Sequence, residues 1–85
     1  MSYTVYILQS VPSQRYYVGV TSDFSQRMGF HNKKGKGFTV RYRPWEVVFT
    51  KVFESKSDAL AAERRIKGWK SRKMIEGLVR GEASV

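Results

Sequence analysis

The sequence predicts an α+β fold: a three-stranded antiparallel sheet flanked by helices, in the order β-β-α-β-α-α. Three observations lead there. Two short β-branched and aromatic runs, Thr4 to Gln9 and Tyr16 to Val20, sit close enough in sequence to pair as a hairpin. A third alternating run, Glu46 to Phe53, supplies one more strand. Elsewhere the apolar spacing is helical, first after Asp23 and again after Ser55. With 85 residues, 41% hydrophobic and 27% charged, the chain is expected to form a single domain, residues 1–85.

Ser10 to Gln14, with Pro12 inside it, is the turn of the hairpin. With Gln9 opposite Gln14, Tyr6 faces Tyr17, and both rings lie on one side of the sheet. A helix then runs from Asp23 to about Asn32, capped by Ser22 or Asp23. Lys33 to Gly37 is a basic, glycine-rich loop, irregular on through Arg43 and Pro44. In the third strand, Val47, Phe49, Lys51 and Phe53 take one face, and Val48, Thr50 and Val52 the other. Ser55 caps a long helix to about Trp69, with Asp58 at the capping-box position. Gly68 and Ser71 mark a break before a shorter helix from Ser71 to Val79.

Composition excludes several functions. There are no cysteines, so disulfide scaffolds and thiolate metal sites are out, and a single histidine excludes a zinc centre built on histidines. No apolar run reaches the roughly 20 residues that span a bilayer, and no signal-peptide pattern opens the chain, so a cytoplasmic protein is expected. Sixteen Lys and Arg against seven Asp and Glu give a net charge of +9. Such an excess suits a polyanion, and nucleic acid is the expected partner; a membrane is not, because the cations are not gathered on one amphipathic helix.

Some residues stand out of place. Phe24, Arg27, Met28 and His31 have core-facing helical spacing, yet two of the four are arginine and histidine. Arg27 either reaches a cleft, carboxylate or ligand, or snorkels past Phe24 to solvent. His31 is a helix-end histidine or a catalytic one. Glu63 falls close to the apolar side defined by Ala59, Ala62, Ile66 and Trp69, as an ion-pair partner of Lys67 or as a metal ligand. Tyr6 and Tyr17 are ordinary sheet residues or part of a polar cluster. Gly19 shares their face and marks a close approach.

Val5-Tyr6-Ile7, followed by Tyr17-Val18-Gly19, resembles the paired tyrosine motifs of the GIY-YIG nuclease superfamily. The likeness continues through Thr21 to Arg27, His31-Asn32 and Ala62 to Trp69, which resemble the small stand-alone bacterial branch related to the N-terminal nuclease domain of bacterial excinuclease. It covers Tyr3 to about Val79. The resemblance implies a divalent-metal-dependent endonuclease in DNA repair or processing, with Tyr6, Tyr17, Arg27, His31 and Glu63 catalytic. Glu63 would hold one Mg²⁺ or Mn²⁺, Arg27 would neutralise the scissile phosphate, and a tyrosine would position or deprotonate water. Thr4 stands where the first motif has glycine. Val20 stands where several members carry a polar helper of the base, a task open to His31.

With no appended reading head visible, specificity is expected from DNA structure, such as branches, flaps or lesions. Lys33, Lys34, Lys36, Arg41 and Arg43 are the expected phosphate contacts. Alternatives are a non-catalytic nucleic-acid-binding module that kept the nuclease fold, and a basic protein-interaction or ribosome-associated domain. Nothing in the sequence fixes the oligomeric state.

Overall fold

β1 (Tyr3–Ser10) is apolar on both faces, and it takes the middle of the sheet. In the structure, a computed structural model describing residues 2–29 and 42–85, it is flanked by β2 (Tyr16–Thr21) and β3 (Trp45–Phe53), both antiparallel to it. The helices are α1 (Phe24–Gly29), α2 (Lys56–Trp69) and α3 (Arg72–Val79). The expected fold class and element order are those observed.

The two faces of β1 anchor two cores. Val5 and Ile7 pack with Val18 under Ala59, Ala62 and Ile66 of α2 and Leu78 of α3. The alanines let α2 lie close to the sheet, where larger side chains would hold it off. On the opposite face Tyr6 and Leu8 pack with Trp45, and Tyr17, Phe24 and Tyr42 close around them.

The hairpin register differs from the expected one by two residues: Tyr6 faces Gly19, and Leu8 faces Tyr17. Ser10 stays in the sheet, its N–H donating to the Arg15 carbonyl over 2.8 Å, which pushes the turn outward. Gln14 closes that turn in the left-handed region, with φ of 63°, and its N–H donates to the Ser10 carbonyl. A two-residue slip conserves side-chain parity, so the tyrosines still share a face, now on the diagonal. Ser10 is fully buried; its hydroxyl donates to the Tyr42 carbonyl over 2.5 Å and accepts the Ser13 N–H.

β3 begins one residue early, at Trp45, and carries a bulge. Ile7 pairs with Phe49 but Leu8 with Val47, so Val48 is the extra residue. This corrects the expected alternation: Val48 joins Phe49 against the α2 core, while Val47 moves to the other face and is exposed. The bulge thereby reverses the phase of the strand's first residues and delivers Trp45 to the Tyr6 side.

The helix ends follow sequence chemistry. Asp23 caps α1, its Oδ1 accepting the Gln26 N–H at 3.1 Å; residues of this expected helix beyond Gly29 lie outside the described part. Ser55 caps α2 through the Asp58 N–H, and Ser71 caps α3 through the Met74 N–H. The break falls at Lys70, left-handed at φ of 48°, whereas Gly68 stays helical. No described helix is long and apolar enough to cross a membrane.

Candidate functional site

Tyr6 organises the site because the sheet leaves its ring one direction to lie. Its cross-strand partner is Gly19, and the phenol fills the space a side chain would occupy there. A Cβ built on Gly19 would fall 2.4 Å from the Tyr6 oxygen and 2.6 Å from Cζ, both impossible contacts. The Tyr17 ring stacks 6.4 Å away at an interplanar angle of 28°, Phe24 meets Tyr6 edge-on at 5.7 Å, and Trp45 holds Tyr17 edge-on at 6.1 Å. Tyr6 is 2% exposed; Tyr17 is half-buried.

The electrostatics at the Tyr6 hydroxyl identify its neighbours. Burial pushes the phenol well above its ordinary value of 10.0; Tyr17 adds to the rise, the Arg27 guanidinium opposes it, and Glu63 adds to it. Tyr6 is therefore a neutral phenol at pH 7, able to donate one hydrogen bond and accept others. Tyr17, Arg27 and Glu63, which come from β2, α1 and α2, are thus near enough for their charges to act on Tyr6 of β1.

Arg27 is not a buried cation, which corrects the core-facing stripe expected of α1. It is exposed and lines a polar recess of about 330 Å³ with Thr21, Ser22, Asp23 and Gln26. α1 covers only the edge of the second core, where Phe24 alone of the described stripe is half-buried, so a long cation beside it reaches the surface. Glu63 keeps 18% of its side chain exposed and accepts an ion pair from Lys67 at 3.5 Å. That i, i+4 pair is worth a few tenths of a kcal/mol and leaves the carboxylate accessible. His31 and the Met28 side chain lie outside the described residues, as do Lys33, Lys34, Lys36 and Arg41. Arg43 is described and exposed.

Sequence reasoning marked Gly19 as a close approach but did not place it in the site; the two-residue register slip makes it the direct partner of Tyr6. It missed Trp45, the buttress of Tyr17, because the signal lay in a bulge that sequence alternation hides. It also missed Arg15, Lys70 and Arg72, three cations on the far side of β2.

Comparison with known proteins bears on the chain as a whole. The family model described as the GIY-YIG catalytic domain matches residues 2–76, which hold Tyr6, Tyr17, Arg27 and Glu63. A UPF0213 protein of Streptococcus pyogenes serotype M3 is 39% identical over 70 residues, covering 80% of this chain and 74% of that protein. A UPF0213 protein of Streptococcus pneumoniae is 36% identical over 53 residues, covering 61% of this chain; the match spans 54% of its length. The solution NMR structure of a UPF0213 protein from Bacillus halodurans superposes with a TM-score of 0.61 at 32% identity, covering 94% of this chain and 84% of that one.

Two measurements test the packing at Tyr6. Gly19→Ala is expected to cost about 1–3 kcal/mol in urea denaturation, because neither the ring nor the strand can yield freely. In a Tyr6→Leu background the same substitution should cost much less; an equal cost in both backgrounds would separate Gly19 from Tyr6. The second is alkaline. The raised phenol keeps its proton in the folded chain where the unfolded chain loses it, so its contribution is complete below about pH 10 and is lost as pH rises through the folded value. Stability of the Tyr6→Phe variant should therefore decline less steeply above about pH 10 than that of the wild type, and parallel curves would contradict the burial of the hydroxyl.

Proposed function

The chain belongs to the GIY-YIG nuclease superfamily, and from that premise we propose that it is a divalent-metal-dependent DNA endonuclease acting in repair or processing. The observation carrying this reading is the Tyr6 phenol seated on Gly19 with Tyr17 stacked beside it, where the charges of Arg27 and Glu63 both act on it. The chemistry is hydrolysis: a water oxygen bonds to phosphorus, the P–O ester bond breaks, and the leaving alkoxide takes up a proton.

Among the described residues no three His, Cys, Asp or Glu side chains cluster, so a cage made wholly of protein ligands is not on offer there. A lone accessible carboxylate suits a hard cation that keeps its waters and takes further ligands from substrate phosphate. Glu63 fits one Mg²⁺ or Mn²⁺ on that ground. When bound, such a cation supplies positive charge at the phosphate and makes a coordinated water more acidic.

The chain's own groups divide the remaining work. Arg27, at the mouth of a polar recess, offers a planar fork of donors to the non-bridging phosphate oxygens, where negative charge builds in the transition state. Tyr6, neutral and fixed over Gly19, orients the attacking water by hydrogen bonding. Burial keeps its proton on, so proton removal from the water is assigned to Tyr17 or His31. DNA would be chosen by structure, with forks, flaps or lesions as candidates, since base-edge readout needs an element shaped to a groove.

Val20 supports a second reading, a binding module without efficient chemistry. It is half-buried against the α2 core and offers the base no polar help.

The test incubates the protein with forked, flapped and linear DNA and Mg²⁺ or Mn²⁺. Branched DNA should be cut, and chelation of the metal should stop cleavage. Glu63→Gln and Arg27→Ala should each lower the rate by about 10²-fold or more, with DNA binding by Glu63→Gln retained. Undiminished cleavage by Glu63→Gln would overturn the site, and binding without cleavage by the wild type would leave the non-catalytic module.

A further inference from the structure

A concavity lies on the outer side of β2, where that strand meets the α2–α3 break. It is a groove of about 590 Å³, within the roughly 300–1,000 Å³ of ligand sites and too small to admit a duplex. Val18, Ile66 and Ile75 give it an apolar floor, and Arg15, Lys67, Lys70 and Arg72 stand around it with no carboxylate among the lining residues.

Arg72 is held as a flat platform. Its guanidinium lies over the Tyr16 ring, 5.0 Å from the centroid, while its Nε donates to Glu76 over 3.0 Å and an Nη donates to the Gln14 carbonyl over 2.8 Å. Fixed by three partners, the guanidinium is a ready stacking surface that needs no ordering on binding. Arg72 and Lys73 also open α3, whose first turn holds no acidic residue. Cations at a helix N-terminus work against the helix dipole, and an anion at that end offsets the repulsion.

Two lining residues link the groove to the candidate site: Tyr17, which stacks on Tyr6, and Lys67, which pairs with Glu63. An apolar floor, a cationic rim and a pinned stacking plane match an unpaired nucleotide: the base on the platform, the sugar on the floor, phosphates among the lysines. We propose that this groove seats an unpaired stretch of the substrate strand next to the scissile phosphate. The inference rests on the nuclease reading for its orientation, and it makes a single-stranded branch the feature of DNA that the protein selects.

Lys70→Gly gives a clean test, because glycine accepts the left-handed backbone at this position and the fold should survive. A short oligothymidylate, titrated into isotopically labelled protein, should displace the NMR resonances of Tyr16, Val18, Lys67, Lys70 and Ser71. Lys70→Gly should weaken that binding several-fold and lower the slope of log affinity against log salt by about one. Groove resonances that stay still, or an unchanged affinity and slope, would overturn the proposal. So would equal displacement by an acidic peptide of the same charge, which would make the groove a protein-binding surface. Cleavage by the wild type, assayed in parallel, judges the nuclease reading separately, since binding in the groove is read without it.

Discussion

Seating the Tyr6 phenol on the bare Cα of Gly19 fixes more of this structure than any other contact. Tyr6 belongs to the central strand and cannot move without opening both sheet ladders. Because no side chain stands at Gly19, the ring lies across the sheet, and Phe24, Tyr17 and Trp45 build around it. Burial then keeps the hydroxyl protonated, and the charges of Arg27 and Glu63, from two different helices, act on it in opposite directions.

The sheet's two faces divide the labour. Toward α2 and α3, the core is aliphatic and small, and Ala59 and Ala62 bring the helix close to the sheet. Toward α1, the core is aromatic, with Tyr6, Trp45, Tyr17, Phe24 and Tyr42 around Leu8. β2, the edge strand, is where both sides meet. It supplies Gly19 and Tyr17 to one site and Tyr16 and Val18 to the groove beside it, so one strand links the cluster around Tyr6 to a basic channel. In a +9 chain, cations are thus concentrated in the sequence from Lys33 to Arg43 and again behind the edge strand.

Elements and faces were legible in the sequence where the pattern was local. Ser55 read correctly as a cap, and Asp23 as one of two candidates, since an N-cap needs only its own next turn. The β-β-α-β-α-α order followed from periodicity alone. What was not legible depends on where strands meet. The hairpin register turned on Ser10 remaining in the sheet, a choice stabilised by Tyr42, 32 residues away. The bulge at Val48 answers to β1 and leaves no mark in the alternation of β3 itself. Arg27 looked like a core position because a wheel assigns faces without knowing how far a neighbouring core extends. The groove cations escaped notice because they come from a hairpin turn and a helix break far apart in sequence.

We propose that Tyr6, Gly19, Arg27 and Glu63 surround one place where a divalent cation and a phosphate meet. Paramagnetic Mn²⁺ tests it most directly, added to isotopically labelled protein with an oligonucleotide whose phosphorothioate linkages resist cleavage. The account predicts that resonances of Tyr6, Gly19 and Glu63 broaden first, and that Glu63→Gln abolishes the effect. Broadening centred on other carboxylates, such as Glu46 or Glu82, or an effect that survives Glu63→Gln, would contradict it.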